Sequence, residues 1–467
     1  MMMNNITKMS MIFIVGLLLS LGLFMNPGYF SHDEVGWGVN AISASSVFDI
    51  EYYNIFNYAE FHYRPLNFNL WLFTSYYLFD TPQLYHLFLV CCGLINSVLV
   101  YLILKNEVDE SIAFLTSLIS AVMPTVLFVN GWIGTIADIF WFMCCAISFL
   151  IYQRVRLTVS SSIISLLVAT IFFVFALMFK ETAVVFPGVI FLYVLYINNK
   201  NNNFILVYKN KQDVKFFFIS TVIVLVYLVV RFEYLFPSEG GGYATSISNI
   251  PNRMLDYFIY PFLLGNIEIH GLFEQHSSTQ IIIALSLHLI FIALLCRKTL
   301  FNYFLYLSFY FVTSVPILIL DTSLPHYIYA SGFVMAFSVS CIFYKERVTR
   351  IISVVFLLML AWHGVNIQKN FVFTGEYHNN FINTLHSVIK SNDGSRCNYL
   401  VQVEPGSASW IAVRAIAFRS KIDDLNIEKR VLFESSALTE SNDNEICNLL
   451  LDKKGRVSMN VEVSDVY

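Results

Sequence analysis

The residues best suited to chemistry are in one short stretch, Ser31-His32-Asp33-Glu34-Val35-Gly36-Trp37-Gly38, just past the first long apolar run. An adjacent acidic pair at the mouth of a membrane helix is costly to keep there. Aromatic surroundings near the headgroups desolvate a carboxylate and make it a better base. Asp33 and Glu34 are therefore candidate catalytic groups, with His32 beside them. The plain alternative is a pair of solvated acids at a helix end.

Cations and partners for an anion are spread along the chain. Tyr63-Arg64-Pro65-Leu66 puts an Arg immediately before a Pro that can open a helix. Arg64 can hold a phosphate bidentately, or simply snorkel to the interface. Lys180-Glu181 follows one apolar block and precedes another, so the two charges are expected to pair with each other or to bind something. Arg253 precedes the apolar Tyr257–Leu264 piece, which is expected to re-enter the membrane. His326-Tyr327-Ile328-Tyr329 opens an apolar block, where a His can meet a phosphate or sit among interfacial tyrosines. Glu239-Gly240-Gly241-Gly242-Tyr243 lets backbone approach a ligand, or is a flexible loop.

The elements that must position these groups are membrane helices. Of the 467 residues, 57% are hydrophobic and 13% charged, with 44 Phe and 27 Tyr, which no soluble domain needs. The net charge of −4 says little, because placement of Lys and Arg matters more. Apolar blocks of about 16–22 residues recur, and about eleven of them can span a bilayer. They are Met9–Met25, Leu84–Leu104, Ile112–Val129, Ile133–Tyr152, Ser162–Phe179, Ala183–Ile197, Phe216–Val230, Ile281–Cys296, Leu300–Leu320, Tyr327–Tyr344 and Ile351–Val365. The first has no small-residue cleavage site and is expected to stay in the membrane. Leu66–Phe79, between Arg64-Pro65 and Asp80-Thr81-Pro82, is expected to lie in the interface. Counted as a span, it would invert every later loop and break the positive-inside rule.

With the N-terminus inside, Lys105, Arg154, Arg156, Lys209, Arg297 and Lys345 fall in inner loops. The outer face then carries loop 26–83 with Asp33-Glu34, the Lys180-Glu181 turn, the Phe232–Gln280 loop, the Asp321–His326 turn and the tail. The expected division is a transmembrane domain, 1–367, and a soluble outer domain, 368–467. In the tail, Glu376–Lys390, Ser409–Phe418 and Asn444–Leu451 are expected as helices. Tyr399–Val403, Val431–Glu434 and Val457–Val463 are expected as strands of a small α/β domain. Of the eight cysteines, Cys397 and Cys447 lie in this tail and either pair in an oxidising space or remain thiols. No metal-ligand spacing occurs, so a divalent cation is only an option for Asp33 and Glu34.

No phosphate-binding Gly-rich motif is present and no nucleic-acid partner is expected. A lipid-borne phosphorylated substrate fits charges gathered at interface depth on one face. In Asp33-Glu34 after the first helix, Tyr63-Arg64-Pro65-Leu66, Lys180-Glu181 and Pro325-His326-Tyr327-Ile328-Tyr329, the chain resembles the C-type (GT-C) superfamily of polyprenyl-phosphate-sugar-dependent membrane glycosyltransferases. The resemblance covers about the first 345 residues; His326 stands where related enzymes often show Arg. Two large outer segments are similar to the bacterial serotype-converting glucosyltransferases that decorate O-antigen in the inner membrane.

The resemblance implies an inverting transfer from a polyprenyl-phosphate sugar to a glycan or glycolipid acceptor. Asp33 would deprotonate the acceptor hydroxyl and Glu34 would orient it or Asp33. Arg64, Lys180, His326 and Arg253 would bind the donor phosphate, with His32, Tyr63, Glu181 and Tyr327 positioning substrate. Two other classes stay open. A transporter or flippase would use Asp138, the clearest acid inside an apolar block, but no twofold pattern is visible. A polysaccharide polymerase or ligase would also take a lipid-linked donor, with its main polar loop later in the chain.

Overall fold

A computed structural model describes residues 4–58, 63–157, 163–200, 210–235, 244–264, 276–296, 300–391, 398–419, 431–433 and 446–459. The first half is helical: α1 (Asn5–Leu19), α2 (Leu21–Phe24), α3 (His32–Ile42), α4 (Pro65–Leu78), α5 (Pro82–Leu104), α6 (Glu110–Ser120), α7 (Pro124–Gly131) and α8 (Ile136–Leu157). It continues with α9 (Ile163–Phe179), α10 (Phe186–Lys200), α11 (Lys211–Leu235), α12 (Ile250–Ile259), α13 (Ser278–Cys296), α14 (Leu300–Val312), α15 (Tyr329–Phe343) and α16 (Arg347–Ser391). Proline opens α4, α5, α7 and α12, where its missing N–H costs nothing.

Among the described residues seven helices are long and apolar enough to cross a membrane, or eight when a bent pair counts as one span. The protein is a multi-pass membrane protein. The number differs from the expected eleven for physical reasons. The Ile112–Val129 block is α6 and α7, bent by 51° where Pro124 starts a new helix. The Leu300–Leu320 block ends its helix at Val312 and continues as a 3-10 turn around Pro316. The helices α1 and α9 have 15 and 17 residues. At 1.5 Å per residue these give about 22 and 26 Å, short of the ~30 Å hydrocarbon core.

The helix α4 is a 14-residue element and is not among the spans. The 43–58 segment is a series of turns. Tyr257–Leu263 is largely buried, with Tyr257, Ile259 and Tyr260 having no exposed surface, while Leu264 is 40% exposed. A helix end in that position must have its carbonyls satisfied. Tyr310 donates to the Tyr257 carbonyl (2.9 Å), His363 to that of Pro261 (3.2 Å), and His288 to that of Phe258.

The helix α16 has 45 residues and runs without a break across residue 367, the expected domain boundary. Beyond it come β1 (Asn398–Val403), α17 (Ser409–Arg419), β2 (Val431–Phe433), β3 (Ile446–Leu451) and β4 (Val457–Met459). The sheet order is β2-β1-β3-β4. The strand β1 is parallel to β2 and β3, with Tyr399 opposite Val431 and Cys447; β4 is antiparallel to β3. Tyr377, Phe381, Leu385 and Ile389 of α16 and Ile411 of α17 pack on Val401, Leu449 and Leu451.

Ile446–Leu451, most of the expected helix Asn444–Leu451, is therefore a strand; Asn444 and Glu445 lie outside the described residues. Leu449 and Leu451 are both fully buried in the period-2 pattern of a central strand, which a short apolar run does not distinguish from a helix. Gly455 takes a positive φ of 78° in the β3–β4 turn, beside the Asp452 carboxylate that accepts from the Lys454 and Arg456 N–H. Cys447 is disulfide-bonded; Cys397 lies outside the described residues.

Candidate active site

The helix α3 starts where Ser31 and Glu34 form a capping box, the Ser-x-x-Glu signal of a helix N-terminus. The Glu34 carboxylate accepts from the Ser31 N–H (2.8 Å), the Phe30 N–H, and the Ile133 N–H (2.7 Å) in the 3-10 turn just before α8. Glu34 is 1% exposed, and burial pushes its carboxyl up to about 7 against the pull of these three N–H groups. It fixes the first turn of α3 to the α7–α8 junction. Asp33, next to it, is on the exposed side of that turn. The helix N-terminus favours its negative charge. The side chain of His32 is outside the described residues. The helix α3 packs closely on the end of α4: a Cβ at Gly38 would lie 2.0 Å from the Phe79 ring.

A second group lies on the other side of Trp132. Its indole N–H donates to the Ser31 hydroxyl (3.0 Å), and its ring meets His326 edge-on at 5.2 Å. His326 is 8% exposed, and its Nδ1 has no hydrogen-bond partner. Lys180 lies 5.0 Å over the Tyr327 ring and is 2% exposed. Its ammonium bonds both Asp138 oxygens, at 2.7 and 2.8 Å. Arg64, the residue before Pro65 of α4, clasps Glu181 with two N–H groups, one at 2.8 Å. Lys180 and Glu181 thus do not pair with each other; each reaches across the fold. Arg64 is close enough for its charge to act on Lys180, Asp138 and His326.

Arg231 completes the cluster. It is 2% exposed, donates to the Tyr58 carbonyl, and stacks over the rings of Tyr63 (5.3 Å) and Tyr234 (5.6 Å). Tyr63 in turn donates to the Ile55 carbonyl (2.6 Å). Tyr227 feels the charges of Glu181, Arg231 and Arg64 together. Three cations, Arg64, Lys180 and Arg231, therefore face two carboxylates, Asp138 and Glu181. They gather beside an imidazole nitrogen of His326 that has no hydrogen-bond partner, a setting suited to an anion.

Arg253 joins a separate network. It pairs with Asp256 (3.1 Å) and donates to Ser323 (2.9 Å), and Ser323 donates to Asp256 (3.0 Å). This network ties α12 to the turn before His326. Glu239–Tyr243, Glu268 and His270 are outside the described residues. Sequence reasoning missed Trp132 and Arg231 and read Asp138 only as a transport acid. For Arg231 a signal existed: a cation ending an apolar block on the face where the charge rule disfavours cations. For Trp132 there was none. Among the described residues no three His, Cys, Asp or Glu side chains converge as metal ligands.

No family model matches the sequence, and no curated protein matches it. Among solved structures, the archaeal oligosaccharyltransferase AglB from Archaeoglobus fulgidus, in complex with an inhibitory peptide and a dolichol-phosphate, superposes with a TM-score of 0.46 and 8% identity. The match covers 93% of this chain and 65% of that one, so the chain spans about two-thirds of the neighbour's length.

Proposed function

We propose that the chain is a GT-C-type membrane glycosyltransferase that moves a sugar from a lipid-phosphate donor to an acceptor hydroxyl. One observation carries the reading: an exposed carboxylate at a helix N-terminus is tied, through Trp132, to His326, whose Nδ1 has no hydrogen-bond partner, and so to the buried cluster that holds Lys180 and Arg64. A base and a phosphate site joined by one side chain are what attack at a sugar carbon with loss of phosphate requires.

In this reading Asp33 takes the acceptor hydroxyl proton. The oxygen attacks the anomeric carbon, the bond to the phosphate oxygen breaks, and the sugar inverts. The leaving phosphate carries the negative charge, and Lys180, Arg64 and His326 hold it. Without the donor, Asp138 and Glu181 keep the cations paired; a phosphate competes for them. Glu34 positions Asp33 by fixing the first turn of α3. Arg253 acts at a distance, by holding the turn that carries His326.

The finer reading follows the motifs and the charge rule. The donor is a polyprenyl-phosphate hexose, and the acceptor a surface glycan such as O-antigen. The site opens on the outer face of a bacterial inner membrane, with the N-terminus cytoplasmic. The C-terminal unit, 368–467, is on the same face, where α17 lies against α3 and so beside the acceptor path. Asp138, which would mark a transport route, is in the first turn of α8 and is occupied by Lys180, which supports the enzyme reading.

The test is purified protein in detergent with a polyprenyl-phosphate hexose and crude surface glycan. Wild type should release free polyprenyl phosphate. Asp33→Asn, folded equally, should lose about 10²–10⁴ of the rate. Equal release by both removes Asp33 as base, and no release with any donor turns attention to vesicle flux.

A further inference from the structure

Most of α3 is packed away. Among its described residues from Asp33 to Ala41, only Asp33, Trp37 and Asn40 keep accessible surface; the rest are buried. The spacing i, i+4, i+7 puts these three on one stripe of the helix. From Asp33 to Asn40 that stripe is about 10 Å long at 1.5 Å per residue. The helices α4 and α17 both pack against α3.

Trp37 is held in a fixed pose within the stripe. Its indole stacks on Phe68 at 4.7 Å and 16°, and on Trp71 at 5.7 Å and 29°, with the Tyr53 ring at 5.8 Å. The Asn69 amide fixes Tyr53 in turn: its oxygen accepts from the Tyr53 N–H (2.6 Å) and its nitrogen donates to the Tyr53 carbonyl (3.0 Å). An indole held this way loses little rotamer freedom when a ligand lies against it. The charged neighbours are acidic. Asp49 and Glu51 are exposed in the turns after α3, and residues 26–63 hold no Lys or Arg. A surface of that sign repels an anionic ligand.

A carboxylate, a fixed aromatic ring and an amide in one line, on a surface without cations, suit a chain of uncharged sugar rings. The partly positive C–H groups of a pyranose favour the negative face of an indole. An amide both donates to and accepts from hydroxyls. We propose that the Asp33–Trp37–Asn40 stripe is the acceptor track. It takes a neutral glycan whose terminal ring stacks on Trp37, with its attacking hydroxyl at Asp33, and whose next ring reaches Asn40. The inference rests on the transferase reading above and narrows its acceptor to an uncharged saccharide.

The test reads acceptor binding to the full-length protein in detergent, without donor, by saturation-transfer NMR. The probes are neutral trisaccharides of glucose, galactose and mannose, the matching trisaccharides ending in a uronic acid, and a serine-containing peptide. Wild type should bind at least one neutral trisaccharide, and its uronic-acid form about tenfold more weakly. Trp37→Leu should weaken the neutral sugar about tenfold and raise the KM for glycan, with the KM for polyprenyl-phosphate hexose unchanged. Trp37→Phe, which keeps a ring against Phe68 and Trp71, should recover most of the binding. Asn40→Ala, at an exposed position, carries the test if Trp37→Leu is not monodisperse. It should bind the trisaccharide about threefold more weakly and the corresponding monosaccharide as wild type does. Binding equal to wild type in the folded Trp37 and Asn40 variants overturns the proposal, as does binding of the peptide in place of every neutral sugar, or of no probe at all. Sugar binding that depends on Trp37 without release of polyprenyl phosphate leaves the track standing and removes the enzyme reading. Release by wild type that is indifferent to both positions does the reverse.

Discussion

The Lys180 ammonium bonds both carboxylate oxygens of Asp138, at 2.7 and 2.8 Å, and the two side chains are only 2% and 4% exposed. Two buried charges offset each other's desolvation only while both are present. Lys180→Met or Asp138→Leu alone should destabilise the protein by about 3–5 kcal/mol, because each leaves an uncompensated buried charge. The double variant should recover most of that stability and none of the transferase activity. Thermal midpoints in detergent, alongside polyprenyl phosphate release, check both halves. A double variant that is as unstable as either single one would refute the coupling.

Arg64 and Glu181 make a bidentate pair that a lysine cannot reproduce. Arg64→Lys should keep the fold and lose about 10²–10³ of the transfer rate if the fork is what the leaving phosphate meets. Glu181→Gln, which frees the same fork, should lower the apparent KM for donor. A kcat and KM comparison of the two variants decides this. Unchanged kinetics for Arg64→Lys would take Arg64 out of the phosphate site.

Glu34 makes stability depend on pH in a defined direction. Burial raises its carboxyl from 4.5 to about 7 in the folded protein, so folding favours the protonated form. Its contribution is full below about pH 4.5 and is lost as pH rises through about 7. A shift of that size corresponds to about 3 kcal/mol. Glu34→Gln should flatten the decline between those pH values. Thermal midpoints of the two proteins across that range give the answer, and parallel curves would show that Glu34 titrates normally.

Gly28 and Gly375 let the chain before α3 touch α16 backbone to backbone. A Cβ at Gly28 would lie 2.3 Å from the Gly375 carbonyl oxygen, and His86 already donates to the Gly28 carbonyl (2.9 Å). Gly28→Ala should cost about 1–3 kcal/mol through overpacking against backbone that cannot yield. It should also reduce activity more than Gly93→Ala, whose added methyl meets first the Asn130 side chain rather than backbone. Melting and turnover measured on both variants test the ranking.

Much of this architecture is local and was readable from the sequence. Apolar blocks predict spans and Pro65 predicts the start of α4, because proline and periodicity act over a few residues; the capping box of Ser31 and Glu34 is equally local, although the stretch was expected as loop. The sequence also placed the chemistry-bearing residues at helix ends. What it could not determine was who meets whom. Glu181 is the neighbour of Lys180, yet it pairs with Arg64, 117 residues away, while Lys180 takes Asp138, 42 residues away. Trp132 carries no local mark of its role. The strand β3 shows the same limit, since Ile446–Leu451 becomes a strand only by lying between β1 and β4. Helix ends follow from nearest neighbours along the chain, whereas ion pairs and strand order follow from packing, which brings distant segments to a shared depth where a buried charge must find its opposite.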